Sequence, residues 1–157
     1  MEKGILPYTM PASLIESLDV ALDNILDEGQ AEVYERHAKI ANAVRTALQE
    51  YGLSLFLESG HANTVTAVNI PEEIGALRLQ QHIQETYNLY IATSLAQYDN
   101  VILRIGHMGE NAFMEKVLSV LTVIDNGLRD LGFKGNGNLG QLFLDAYRAE
   151  SQIPVLK

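Results

Sequence analysis

The hydrophobic period of this chain first changes at Leu53, and that change limits the folds open to it. Before Leu53 the apolar residues recur at helical spacing. Leu14, Leu18, Leu22, Ile25 and Leu26 share one stripe that Gly29 ends, and Val33, His37, Ile40, Val44 and Leu48 share a second that Gly52 ends. Thr9 or Ser13 is placed to cap the first helix, with Pro11 in its opening turn, where a missing N–H is harmless. After Leu53, residues 54–58 and 64–70 read as strands, and Pro71 closes the second because it has no ladder donor. A helix over residues 73–88, strands over 89–93 and 101–105, and a helix from Asn111 to about Leu131 complete the pattern. Two helices followed by β-β-α-β-β-α predict an α+β fold: a mostly antiparallel sheet of three to four strands with helices on one face.

Bulk properties narrow the function. A chain of 157 residues, 47% hydrophobic and 20% charged, has the make-up of an ordinary globular domain with a real core. Zero cysteines exclude disulfides, thiolate metal sites and cysteine nucleophiles within it. A net charge of −9 and no tryptophan argue against nucleic-acid binding, which needs a clustered basic face. No apolar run approaches the ~18–20 residues that span a bilayer, so no membrane partner is expected. The first residues, Met1-Glu2-Lys3-Gly4, carry no signal-segment pattern, which suits a cytoplasmic protein.

The stretch Val101-Ile102-Leu103-Arg104-Ile105-Gly106-His107-Met108-Gly109 is the richest in chemistry. An arginine at the end of a buried strand needs a partner, and its planar fork matches a carboxylate in two-point fashion. On the residues alone, an Asp or Glu of the same domain or a solvated strand end explains Arg104 as well as a ligand anion does. His107, in the turn that follows, either orients a side chain or faces solvent. His37 and His82 lack the His-x-x-x-His spacing of a helical metal site, and no metal is expected. The acidic residues Asp19, Asp23, Asp27 and Glu28 read as a solvated helix face. Gly135-Asn136-Gly137-Asn138-Leu139-Gly140 matches Gly-x-Gly-x-x-Gly, but it follows a helix rather than a strand and reads as a flexible linker. Residues 1–132 therefore form the expected domain, and 133–157 a C-terminal tail with a short helix over 139–150.

Arg104-Ile105-Gly106-His107-Met108-Gly109 resembles a motif of the class V pyridoxal-phosphate aminotransferases, in the alanine–glyoxylate and serine–pyruvate group. Pro7-Tyr8-Thr9-Met10-Pro11 is similar to that family's Tyr-Thr-x-Pro segment. Asp27-Glu28-Gly29 and Glu35-Arg36-His37 resemble its Glu-Glu-Gly and Arg-His elements. Thr64-Val65-Thr66-Ala67-Val68, followed by Pro71, resembles its Thr-Val-Thr-Ala-Val strand. These segments lie in the family's order over residues 5–131. Thr93-Ser94 stands where the family usually has a glycine pair, and Leu6 where many members carry a polar residue.

The resemblance implies the C-terminal small domain of a fold-type I enzyme that moves an amino group between a small amino acid and an α-keto acid such as glyoxylate or pyruvate. It implies pyridoxal phosphate as cofactor of the complete enzyme, Arg104 as anchor of the substrate α-carboxylate, and Thr9 as a contact to the cofactor phosphate of a neighbouring subunit. No catalytic residue is expected here. The family's Schiff-base lysine and the acid facing the pyridinium nitrogen belong to its large domain, and Lys3, Lys39, Lys116, Lys134 and Lys157 lie outside that lysine's context. Alone, the chain is expected to be inactive and to hold no cofactor. Its expected partners are a large pyridoxal-phosphate-binding domain or subunit and further copies of itself. A stand-alone, non-catalytic binding or oligomerisation module is the alternative.

Overall fold

A computed structural model describes residues 9–150 of the chain, which divides into two compact units, residues 1–35 and 36–157. The extended lead-in expected over residues 1–8, with Leu6, Pro7 and Tyr8, lies outside the described residues, as do Lys3 and Lys157.

The first unit carries α1, Ala12–Glu28, and the first residues of α2, Gln30–Tyr51. Pro11 is the N-cap of α1 and no side chain caps it, so neither Thr9 nor Ser13 has the capping role their types suggested. The Pro11 carbonyl instead receives the Leu14 and Ile15 amides at 3.0 and 3.2 Å. Gly29, at φ +94°, ends the helix in a conformation that a Cβ would strain, and its N–H returns to the Ile25 carbonyl. No residue of α1 is buried, and Leu14, Leu18, Leu22, Ile25 and Leu26 are all exposed.

In the second unit, α2 buries the face that carries Ile40, Val44, Leu48 and Tyr51. Three antiparallel strands follow in the order β1-β3-β2: β1 Val65–Asn69, β2 Ala92–Thr93 and β3 Ile102–Gly106. Alternation along the strands separates the faces of the sheet. Val68, Leu103 and Ile105 join the core with side chains of α2, α3 (Ala76–Tyr87), α4 (Met114–Asp130) and α5 (Leu139–Glu150). Ala67, Arg104 and Ala92 pair side by side in the other phase of the pleat.

Three expectations change. Residues 54–58 form no strand; they reach β1 through one bridge, Leu55 to Val68, with Phe56 N–H on the Ala67 carbonyl at 3.0 Å. Phe56 and Leu57 stay exposed there, so burial does not hold a longer ladder together. The third helix starts at Ala76 rather than 73, because Gly75 adopts φ +75° after a turn from Pro71 to Ile74. Asn100, from a distant loop, supplies the missing cap: its carbonyl and its Oδ1 accept the Ala76 and Leu77 amides at 2.9 and 3.2 Å. Asn111 does not cap α4 either, for it ends a short 3-10 turn, Gly109–Asn111, and the helix begins at Met114.

The glycine-rich run 135–140 is neither a nucleotide loop nor a slack linker. Gly135 lies so close to the Tyr51 ring that a Cβ would fall 2.1 Å from Cζ. Asn138 caps α5 through the Gln141 amide at 2.9 Å, and the fully buried Asp125 takes four hydrogen bonds around it. Their donors are the Tyr51 hydroxyl and Arg129 Nε, both at 2.6 Å, Asn138 Nδ2 at 2.9 Å and the Leu139 amide at 3.1 Å. Burial, reinforced by the bond to Asp125, pushes the Tyr51 hydroxyl well above its usual pKa and keeps it a donor. The short helix expected in the tail is α5, which seats Leu139 and Phe143 in the core.

Candidate functional site

Arg104 sits in the middle of β3 rather than at a buried strand end, and it is exposed. Its neighbours across the sheet, Ala67 and Ala92, are small, so nothing crowds the guanidinium. Arg104 Nε donates to the Thr93 carbonyl at 2.8 Å, which uses one of the five donors of the group and sets its plane. Among the described residues no Asp or Glu forms an ion pair with it. Among the described residues no acid closes on it, and the exposed guanidinium is open to solvent or to an anion. The guanidinium lines a cavity of about 330 Å³ shared with Asn111, Lys116, Ile91, Ile105 and Val117. What the arrangement offers chemically is two-point binding of an anion with an apolar wall beside it.

The turn that follows β3 is clamped from α2. Arg36 donates to the carbonyls of Gly109 and Ala112 at 3.1 and 3.0 Å and lies over the Phe113 ring, 4.2 Å from its centroid. His37 Nε2 accepts the Gly109 amide at 3.0 Å. His107 is fully buried, so the solvent-facing option for it falls away. Its Nε2 meets Thr66 Oγ1 at 2.8 Å, whereas Nδ1 has no hydrogen-bond partner. Burial pulls the pKa of His107 below its usual 6.5; the nearby carbonyls of His107 itself and Asn63 offset part of this. The sequence marks Arg36 only through a resemblance and His37 through that and its place on a helical stripe, because their targets lie more than seventy positions away.

The sequence marks Asn111 only as the start of a helix and Lys116 only as a lysine outside the Schiff-base context. One signal for Lys116 was present: it is a cation in the first turns of α4, where the helix dipole favours an acid. Thr9, in the first unit, is exposed and does not cap α1. Of the described lysines, Lys39 stacks over the Tyr147 ring at 3.9 Å, Lys116 lines the Arg104 cavity, and Lys134 is exposed. Among the described residues no cluster of metal ligands forms, and no helix is long and apolar enough to cross a membrane.

Comparison with known proteins finds relatives over most of the chain. The chain is 34% identical over 132 residues to a serine–glyoxylate aminotransferase of Methylorubrum extorquens, covering 80% of this chain and 33% of that protein. It is 36% identical over 134 residues to an uncharacterized aminotransferase of Methanocaldococcus jannaschii, covering 85% and 34% respectively. The crystal structure of a pyridoxamine–pyruvate aminotransferase from Mesorhizobium loti superposes with a TM-score of 0.87 at 30% identity, over 94% of this chain and 38% of that one. The chain is a homologue of the class V aminotransferases. It spans about a third of the length of the curated relatives it matches, in keeping with their C-terminal small domain. No family model matches it. The α+β architecture of this small-domain homologue is that of its structural neighbours.

Proposed function

We propose that this chain serves as the C-terminal small domain of a transaminase that moves an amino group between a small amino acid and an α-keto acid such as glyoxylate or pyruvate. The observation that carries this reading is Arg104, held by the Thr93 carbonyl at a cavity and left without an acid partner among the described residues. Its terminal nitrogens present a planar fork to the substrate α-carboxylate. Arg36 and His37 hold the turn that ends its strand.

In the complete enzyme pyridoxal phosphate supplies the carbonyl that takes up the amino group. The Thr9 hydroxyl would hold the cofactor phosphate of a neighbouring subunit. The Schiff-base lysine would come from the large domain, to which the matched third does not extend. This chain alone is then inactive and holds no cofactor, and its working place is the cytoplasm.

A chimera tests the reading. This chain replaces the matching third of the Methylorubrum extorquens serine–glyoxylate aminotransferase, and turnover with glyoxylate is measured. Transamination is expected. Arg104→Lys keeps the charge but loses the fork, so KM for the amino donor should rise roughly tenfold or more with cofactor content unchanged. A folded, cofactor-loaded chimera indifferent to Arg104→Lys would overturn the assignment.

One observation favours a second reading, a self-associating module: α1 exposes its whole apolar stripe.

A further inference from the structure

We propose that the Arg104 cavity takes a dicarboxylate, with one carboxylate on the Arg104 guanidinium and the other on the Lys116 ammonium. The inference rests on Arg104 as carboxylate anchor and adds the substrate class. The cavity, about 330 Å³, is lined by two cations and by no Asp or Glu, in a chain whose net charge is −9. Neither cation forms an ion pair among the described residues. The same lining holds the aliphatic side chains of Ile91, Ile105 and Val117, which suits the methylene spacer of a short diacid.

The two cations divide the work by their chemistry. Arg104 is fixed through Nε to the Thr93 carbonyl at 2.8 Å and offers rigid, planar, two-point recognition. Lys116 is a point charge on a flexible four-carbon stem, so it follows the second carboxylate across spacers of differing length. Its place in the first turns of α4 adds the positive end of the helix dipole to the same side of the cavity. A monocarboxylate satisfies Arg104 and leaves Lys116 without a counter-charge; a diacid satisfies both.

The test uses the purified chain and amide NMR titrations with succinate and with butyrate, which match in carbon number and differ by one carboxylate. Succinate is expected to bind roughly threefold to fivefold tighter, the increment of one exposed ion pair. Lys116→Gln should remove that preference, weakening succinate more than butyrate until the two bind alike. Arg104→Gln should abolish site-specific shifts from both acids, with the rest of the spectrum reporting an intact fold. Equal affinities for the two acids, or a preference that survives Lys116→Gln, overturn the dicarboxylate proposal and leave the Arg104 anchor standing. Absence of Arg104-dependent binding by either acid overturns the anchor and this proposal together.

Discussion

His107 shows how a single buried group couples this fold to pH. With Nε2 on Thr66 Oγ1 and the ring fully buried, desolvation disfavours the charged form, and the carbonyls of His107 itself and Asn63 offset only part of that. Arg45 and His37 of α2, which bear on it electrostatically, push the same way. Its folded pKa therefore lies below the unfolded value of 6.5. Between the two values the unfolded chain binds more protons, so stability rises with pH there; it is complete above about 6.5 and is lost on acidification below it. Urea midpoints measured from pH 7.5 down to 5 should fall for the wild-type protein. In His107→Gln, which keeps a polar end for Thr66 but does not titrate, the fall should flatten. Parallel profiles for the two proteins would rule His107 out as its source.

At the scale of elements, side chains far apart in sequence decide where helices begin and which of them dock. Asn100 starts α3 from a loop more than twenty residues away, and the chain between Gly75 and Asn100 leaves no local sign of it. Asp125 of α4 anchors α5 by the Leu139 amide and Asn138, while Arg129 also donates to the Gly137 carbonyl. Asp125→Ala removes the acceptor and strands the Tyr51 hydroxyl and the Leu139 amide without partners in the interior. We expect a loss of about 3–5 kcal/mol in urea unfolding, the scale for breaking a buried charged network. Amide exchange should accelerate first in residues 139–150. A loss below about 1 kcal/mol, within the range of an ordinary surface change, would show that Phe143 and Leu139 dock α5 without this network.

For the molecule as a whole, the exposed stripe of α1 is the feature that calls for a partner surface. Leu14, Leu18, Leu22 and Ile25 fall on one helical stripe, yet none is buried. A stripe of this kind on an ordinary monomer is uncommon, and the hydrophobic effect drives it to find cover. The isolated chain is expected to self-associate in light scattering at high concentration. Leu18→Glu with Leu22→Glu should shift it toward monomer while leaving the unfolding transition of residues 36–150 in place. A monodisperse wild-type monomer would count against both the self-associating reading and an apolar role for α1.

Much of this protein was legible in its residues before any coordinates. The helical stripes of α1, α2 and α4, the strands at residues 64–70 and 101–105 though not their pairing, and the α+β class all follow from local periodicity, because a stripe or an alternation needs only its own segment to be read. Arg104 was visible as a charge inside an apolar run. The tertiary structure alone decided which way that charge was satisfied: Thr93 holds it through a backbone carbonyl, a group that every residue carries and that no side-chain pattern can announce. It also decided that residues 135–140 are packed rather than slack, since Gly135 is required by the Tyr51 ring pressed against it. The burial of His107 and the clamp of Arg36 and His37 on the following turn are of the same kind. Each depends on two segments meeting across the chain, and that meeting is set by how the whole core closes rather than by the residues on either side.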